Sequence, residues 1–207
     1  MNDRIAKETN RLPYDVDAVV DVAVRVFLER GYDGASMGDI AREAQLGKSS
    51  LYHHVAGKEE LLRRALARAL DALFAALDEP QCRDGRARER LTAVIRRTIE
   101  CMTALPAEVA LLLRVRGNTA TERWALDRRR ELDRIVTALV REAVADGELR
   151  ADLDPALVTR LVFGMTNSVV EWYRPGGPLG SAAIVEAVQA VVFNGLEARD
   201  RAVLPQT

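Results

Sequence analysis

The chain has 207 residues, 48% of them hydrophobic, with 30 Lys+Arg against 31 Asp+Glu and a formal net charge of -1, enough to bury a sizeable core as one long domain or two small ones. No uninterrupted apolar run approaches the ~20 residues that span a bilayer, and Met1-Asn2-Asp3-Arg4 is not followed by an apolar signal core; both exclude a membrane or exported protein and predict a cytoplasmic one. Cys82 and Cys101 suit a reducing compartment and fit no zinc-ligand spacing.

Apolar residues recur at helical spacing along the chain, without strand alternation, repeat or low-complexity block, which predicts an all-α protein of about nine helices. Pro13 precedes a first helix, Val16 to Glu29, that buries Val19, Val20, Ala23 and Phe27 and stops at Gly31. Ser36 N-caps a short second helix with Ile40, Ala41 and Ala44 inward. After the turn Gln45-Leu46-Gly47, Lys48 opens a third helix. At ~3.6 residues per turn Leu51 and Val55 point inward, Ser49 and His53 lie opposite, and Ser50, Tyr52 and His54 flank them.

Gly57-Lys58-Glu59-Glu60 begins a longer helix through Leu61, Leu66, Leu73 and Leu77, closed at Pro80 and followed by a loop over Gln81 to Gly85. Further helices are expected over Arg86 to Ala104 and from Pro106 through Leu113. A longer one opens at the capping box Thr119/Glu122 and ends at Gly147. Another runs from the Asp154-Pro155 start to Arg174, and the last from Ser181 through Leu196.

Two short helices meeting around Gln45-Leu46-Gly47 read as a helix-turn-helix, whose second helix enters the major groove of DNA while the first crosses the backbone. Between Leu46 and Lys58 there is not one carboxylate, so a polyanion can dock there although the whole chain is slightly acidic; only the docking face must neutralise phosphates, and the Debye length is about 8 Å. Adjacent His53 and His54 point about 100° apart, unlike the i, i+4 pair of a helical zinc site. With no other histidine, no G-x-S-x-G elbow and no phosphate-binding glycine loop, neither metal, cofactor nor catalytic residue is expected.

In four blocks the sequence resembles the TetR family of bacterial transcriptional regulators: Ala23-Val24-Arg25-Val26-Phe27-Leu28-Glu29-Arg30-Gly31-Tyr32, Ser36-Met37-Gly38-Asp39-Ile40-Ala41, Lys48-Ser49-Ser50-Leu51-Tyr52-His53-His54-Val55 and Lys58-Glu59-Glu60-Leu61-Leu62. Departures are Gln45 and Ser49, where the family often has Gly, and Val55, where it often has Phe. The resemblance implies a three-helix DNA-binding head, residues 1–57, and a C-terminal helical bundle for ligand binding and dimerisation, residues 58–207. It also implies the partners: a double-stranded DNA operator, a small-molecule effector and a second copy of the chain. Lys48, Ser49 and Tyr52 fall at base-facing positions; Ser50, His54 and Lys58 fall at phosphate-contacting ones; His53 is included without a fixed partner, and Ser36 is placed to reach a phosphate from its helix start.

The effector residues are read from bulky apolar side chains in the second half with a few polar groups among them: Met102, Leu105, Val109, Leu113, Trp124, Met165, Asn167 and Trp172. Arg96, Arg97, Arg114 and Arg116 are the arginines expected to meet an anionic handle. The run Glu171-Trp172-Tyr173-Arg174-Pro175-Gly176-Gly177 is similar to one in TetR-type regulators that sense acyl-CoA thioesters, which adds an acyl-CoA or aryl-CoA to the expected effectors. Small residues at helical spacing, Gly164 with Ser168 and Ala183, Ala187 and Ala190, mark the last two helices as the dimer pair. The competing reading is a helical ligand-binding or scaffold protein that does not read an operator.

Overall fold

The computed structural model describes residues 16–196; Pro13 and the first four residues, used above, and the side chain of Leu196 lie outside the description. Among the described residues the chain forms eleven helices. In order they are α1 (Val16–Arg30), α2 (Met37–Glu43), α3 (Lys48–His54), α4 (Lys58–Leu77), α5 (Pro80–Arg83), α6 (Ala87–Ala104), α7 (Pro106–Arg114), α8 (Ala120–Ala145), α9 (Pro155–Asn167), α10 (Val169–Trp172) and α11 (Ser181–Leu196).

The two helices beyond the expected nine have local causes. Pro80, read as the end of a helix, instead occupies the first turn of α5, where its missing N–H costs nothing, so most of the expected loop is a helical turn. The expected single helix after Asp154 is interrupted at Ser168. There the Thr166 hydroxyl donates to the carbonyls of Val162 and Phe163, and the Ser168 hydroxyl to that of Met165 at 2.8 Å, a back-bonding that bends helices.

Caps are set by residues three apart. Ser36 accepts from the Asp39 N–H at 3.1 Å while the Asp39 carboxylate accepts from the Ser36 N–H at 3.0 Å. Thr119 and Glu122 repeat the arrangement at α8; Glu122 is buried, and its carboxylate is satisfied by the N–H groups of Asn118 and Thr119. Asp154 accepts from Leu157 N–H at 2.8 Å. Gly31 and Gly147 adopt φ of +73° after α1 and α8, a conformation open to glycine at little cost.

The chain divides into two compact units, residues 1–65 and 66–207, with the division inside α4. In the first, Val19, Val20, Ala23 and Phe27 of α1, Ile40 and Ala41 of α2, Leu51 of α3, and Leu61 and Leu62 of α4 are all buried. In the second, the core gathers Leu91, Val94, Ile95 and Ile99 of α6, Val136, Leu139, Val140 and Ala143 of α8, Val158 and Val162 of α9, and Ile184, Val185, Val188 and Val192 of α11. At ~25 cal/mol per Å² of apolar surface removed from water, this burial is what orders helices whose own propensities would leave them marginal.

Candidate functional site

In the first unit, α2 and α3 are joined by a turn in which Gln45 adopts φ of +55°. The left-handed geometry that glycine would supply is thus kept by a side-chain-bearing residue. Leu51 and Val55 are buried beneath α3, while Lys48, Ser49, Tyr52 and His53 are exposed and Ser50 and His54 half-buried. Tyr52, a large amphipathic ring, leaves 48% of its surface in solvent. The structure therefore brings Lys48, Ser49, Ser50, Tyr52, His53 and His54 together on one short helix free of carboxylates.

Ser36 and Lys58 are placed differently. The Ser36 hydroxyl donates to Asp39 Oδ2 at 2.6 Å, so its proton is already engaged. Lys58 Nζ donates to the carbonyls of Tyr32 at 2.8 Å and Ala35 at 3.0 Å, and sits 4.3 Å from the Tyr32 ring centroid. Of three ammonium donors, two hold the loop between α1 and α2, and a phosphate contact from Lys58 competes with that task. Asp39, hydrogen-bonded to the Ser36 hydroxyl and N–H and flanked by Arg30 and Arg42, has its carboxyl held below the usual range.

In the second unit a cavity of about 50 Å³ lies among α4, α6, α7, α8 and α9. Four of the eight residues expected around an effector line it: Met102, Val109, Leu113 and Asn167. Leu105, Trp124, Met165 and Trp172 do not. Leu105 is consumed by the junction of α6 and α7, Met165 packs against the core, and Trp172, 47% exposed, faces solvent at the end of α10. Shared hydrophobicity placed these four in one set; helix direction separates them.

The rest of the wall was not anticipated. Leu73 and Leu77 come from α4, Val94 and Thr98 from α6, Leu112 from α7 and Phe163 from α9; Arg129, Leu132, Asp133 and Val136 form one face of α8. That face was visible in sequence as an i, i+3, i+4, i+7 pattern in which two charged residues stand at inward positions. Arg97, expected to await an anion, is ion-paired with Glu79 and Glu100, contacts that raise its pKa further, and Arg96, Arg114 and Arg116 are exposed.

Burial pushes the Cys82 and Cys101 thiols up, which leaves both poor nucleophiles. Among the described residues no three His, Cys, Asp or Glu gather as a metal site, and no helix is long and apolar enough to cross a membrane.

The sequence description "Bacterial regulatory proteins, tetR family" matches residues 19–65, and "Tetracyclin repressor-like, C-terminal domain" matches residues 84–196. The chain belongs to the TetR family. This TetR-family regulator is 29% identical to the HTH-type transcriptional repressor KstR2 of Mycobacterium tuberculosis (strain H37Rv) over 94% of this chain and 97% of that one. The crystal structure of SCO3833, a TetR regulator from Streptomyces coelicolor A3, is 58% identical and superposes with a TM-score of 0.82 over 86% of this chain and 90% of that one. AibR in complex with isovaleryl coenzyme A and operator DNA is 25% identical, with a TM-score of 0.74 over 86% of this chain and 97% of that one.

Proposed function

We propose that this TetR-family chain is a cytoplasmic homodimeric repressor without catalytic activity. It binds a double-stranded operator through α3 and is released when a largely apolar acyl or aryl effector, carried as a CoA thioester, enters the second unit. The observation that carries the DNA reading is the exposed, carboxylate-free face of α3 in a unit that the family description spans. Lys48, Ser49 and Tyr52 are proposed to meet base edges, and Ser50 and His54 phosphates, with His53 beside them; base contacts specify and phosphate contacts position.

The effector reading is supported by the cavity and by AibR, whose complex holds isovaleryl coenzyme A. Met102, Val109, Leu113 and Asn167 are proposed to touch the effector. About 50 Å³ holds only a few waters, so an acyl group enters by displacing side chains. Release follows only if the ligand binds the displaced form better than the resting one.

Dimerisation is supported by the outer faces of α9 and α11. Leu161 is 62% and Val191 60% exposed, and Leu157, Gly164, Ser168, Ala183, Ala187 and Ala190 are exposed as well. Two such apolar, small-residue stripes in one unit fit a self-complementary two-fold interface.

The test is a mobility-shift titration of the protein on its own upstream DNA across salt concentration, followed by acyl-CoA, aryl-CoA, the free acids and free CoA. Salt-sensitive binding released by a CoA ester is the expected result. Release by free acid alone removes the thioester, and absence of any sequence-specific shift leaves the competing scaffold reading.

A further inference from the structure

One side chain in the cavity wall is chemically out of place. Arg129 lines a chamber whose other walls include Leu73, Val94, Leu112 and Leu132, and among the described residues its one hydrogen bond is a 3.3 Å donation to the Leu112 carbonyl. A guanidinium carries five N–H donors and does not give up its proton, so the half-buried Arg129 keeps donors that meet solvent rather than protein, beside a wall that is largely apolar. An oxygen acceptor that displaces that solvent gains a charge-assisted hydrogen bond.

Nearby charges add to the argument. Asp133, one turn further along α8, also lines the cavity and feels both Arg129 and Arg160. Arg129 and Asp133 are the charged residues of the lining, and Arg160 acts on Asp133 from outside it. Burial lowers the pKa of Arg129, partly offset by Asp133, and burial raises that of Asp133, against the pull of Arg129 and Arg160; Arg129 is half-buried and Asp133 reaches solvent.

We infer that Arg129 is the anchor of the effector site, taking an acyl oxygen, as free carboxylate or thioester carbonyl, in a bidentate or single N–H···O contact while the apolar body lies against Leu73, Val94 and Leu112. This rests on the cavity being the effector site and narrows its ligands to those with an oxygen acceptor at the end that meets α8. An apolar pocket alone ranks ligands by size. An arginine in its wall ranks them by functional group, because a ligand with an oxygen acceptor gains a charge-assisted hydrogen bond that a ligand without one does not.

The experiment uses matched six-carbon probes, hexanoate, hexan-1-ol and hexylamine, with hexanoyl-CoA as a fourth, titrated by calorimetry into the full chain. Wild-type protein is expected to bind hexanoate at least tenfold tighter than hexanol and to reject hexylamine; Arg129→Met is expected to bind hexanoate and hexanol alike. Loss of hexanoyl-CoA affinity in the same variant identifies the thioester carbonyl as the acceptor; loss for hexanoate only identifies the free carboxylate. A wild-type protein indifferent to the head group, or an Arg129→Met variant that keeps the preference, overturns the inference.

Should Arg129→Met not fold, Asp133→Asn carries the test. Removing the opposing charge is expected to tighten hexanoate severalfold and leave hexanol unchanged, and no change for hexanoate overturns the assignment. Operator binding is followed in parallel. Head-group selectivity through Arg129 without operator release leaves the anchor standing and removes the effector reading, whereas release by a thioester with no dependence on Arg129 does the reverse.

Discussion

Lys58 opens α4 and yet its ammonium lies 4.3 Å from the ring centroid of Tyr32 and 2.8 Å from that residue's carbonyl oxygen, with the Ala35 carbonyl at 3.0 Å. Twenty-six residues apart in sequence, the two tie the start of α4 to the loop between α1 and α2, and Phe27 packs at a tilt against the same ring, centroids 5.4 Å apart. Replacing Lys58 by Met is expected to lower the stability of the first unit by about 2 kcal/mol, the order of a charge-assisted hydrogen bond with some cation–π attraction. The midpoint of urea unfolding measures it. An operator salt slope that also falls by about one would return Lys58 to the phosphate contacts.

Tyr52→Ala and Lys48→Ala should each weaken specific operator binding by about 1–3 kcal/mol with the thermal transition unchanged, because both side chains are exposed. Fluorescence anisotropy on a labelled operator, beside a melting curve, separates lost contact from lost fold. Wild-type affinity in either variant would remove α3 as the reading helix.

Gly164 has nothing within 4 Å of where a Cβ would stand, and Ala187 is exposed on α11. Aspartate at either position therefore leaves the single chain undisturbed, but in a dimer through α9 and α11 it buries an unpaired charge at a cost of several kcal/mol. Sedimentation at micromolar concentration should show wild-type dimers and monomeric variants. A stable wild-type monomer would contradict the proposed assembly.

The Ser36 hydroxyl and backbone, more than the flanking Arg30 and Arg42, depress the Asp39 carboxyl in the folded state. A depressed carboxylate contributes stability that is present above its unfolded pKa and lost as pH falls through the folded one. Ser36→Ala is expected to melt below wild type at neutral pH, and the gap should narrow as pH drops below the ordinary carboxylate range, leaving the part that belongs to the lost cap on the Asp39 N–H. Paired thermal scans from neutral to acid pH check it; a gap that widens on acidification would contradict the assignment.

The local features of this fold were written in short sequence intervals. Ser36, Thr119 and Asp154 cap their helices through hydrogen bonds reaching three residues ahead, and Leu51 and Val55 are buried on one side of α3 while Tyr52 and His53 are exposed. Each depends on helical period and on groups within one turn. Pro80 was visible but ambiguous, since a proline that cannot continue one helix is equally suited to begin the next.

The cavity of the second unit depends on distances the sequence does not contain. Met102 and Val109 reach it and Leu105 between them does not, although all three are apolar, because the α6 to α7 junction turns the chain at Leu105. The Leu112 carbonyl meets Arg129 seventeen residues away, a partnership created by the packing of α7 and α8 rather than by spacing. The sequence by itself determined nine of the helices, the caps at Ser36, Thr119 and Asp154 and the exposed face of α3, since period and nearest-neighbour hydrogen bonds suffice for these. Only the tertiary structure decided that Lys58 turns back onto Tyr32 and that Arg129 faces a cavity, because both follow from where separately formed helices come to rest against one another.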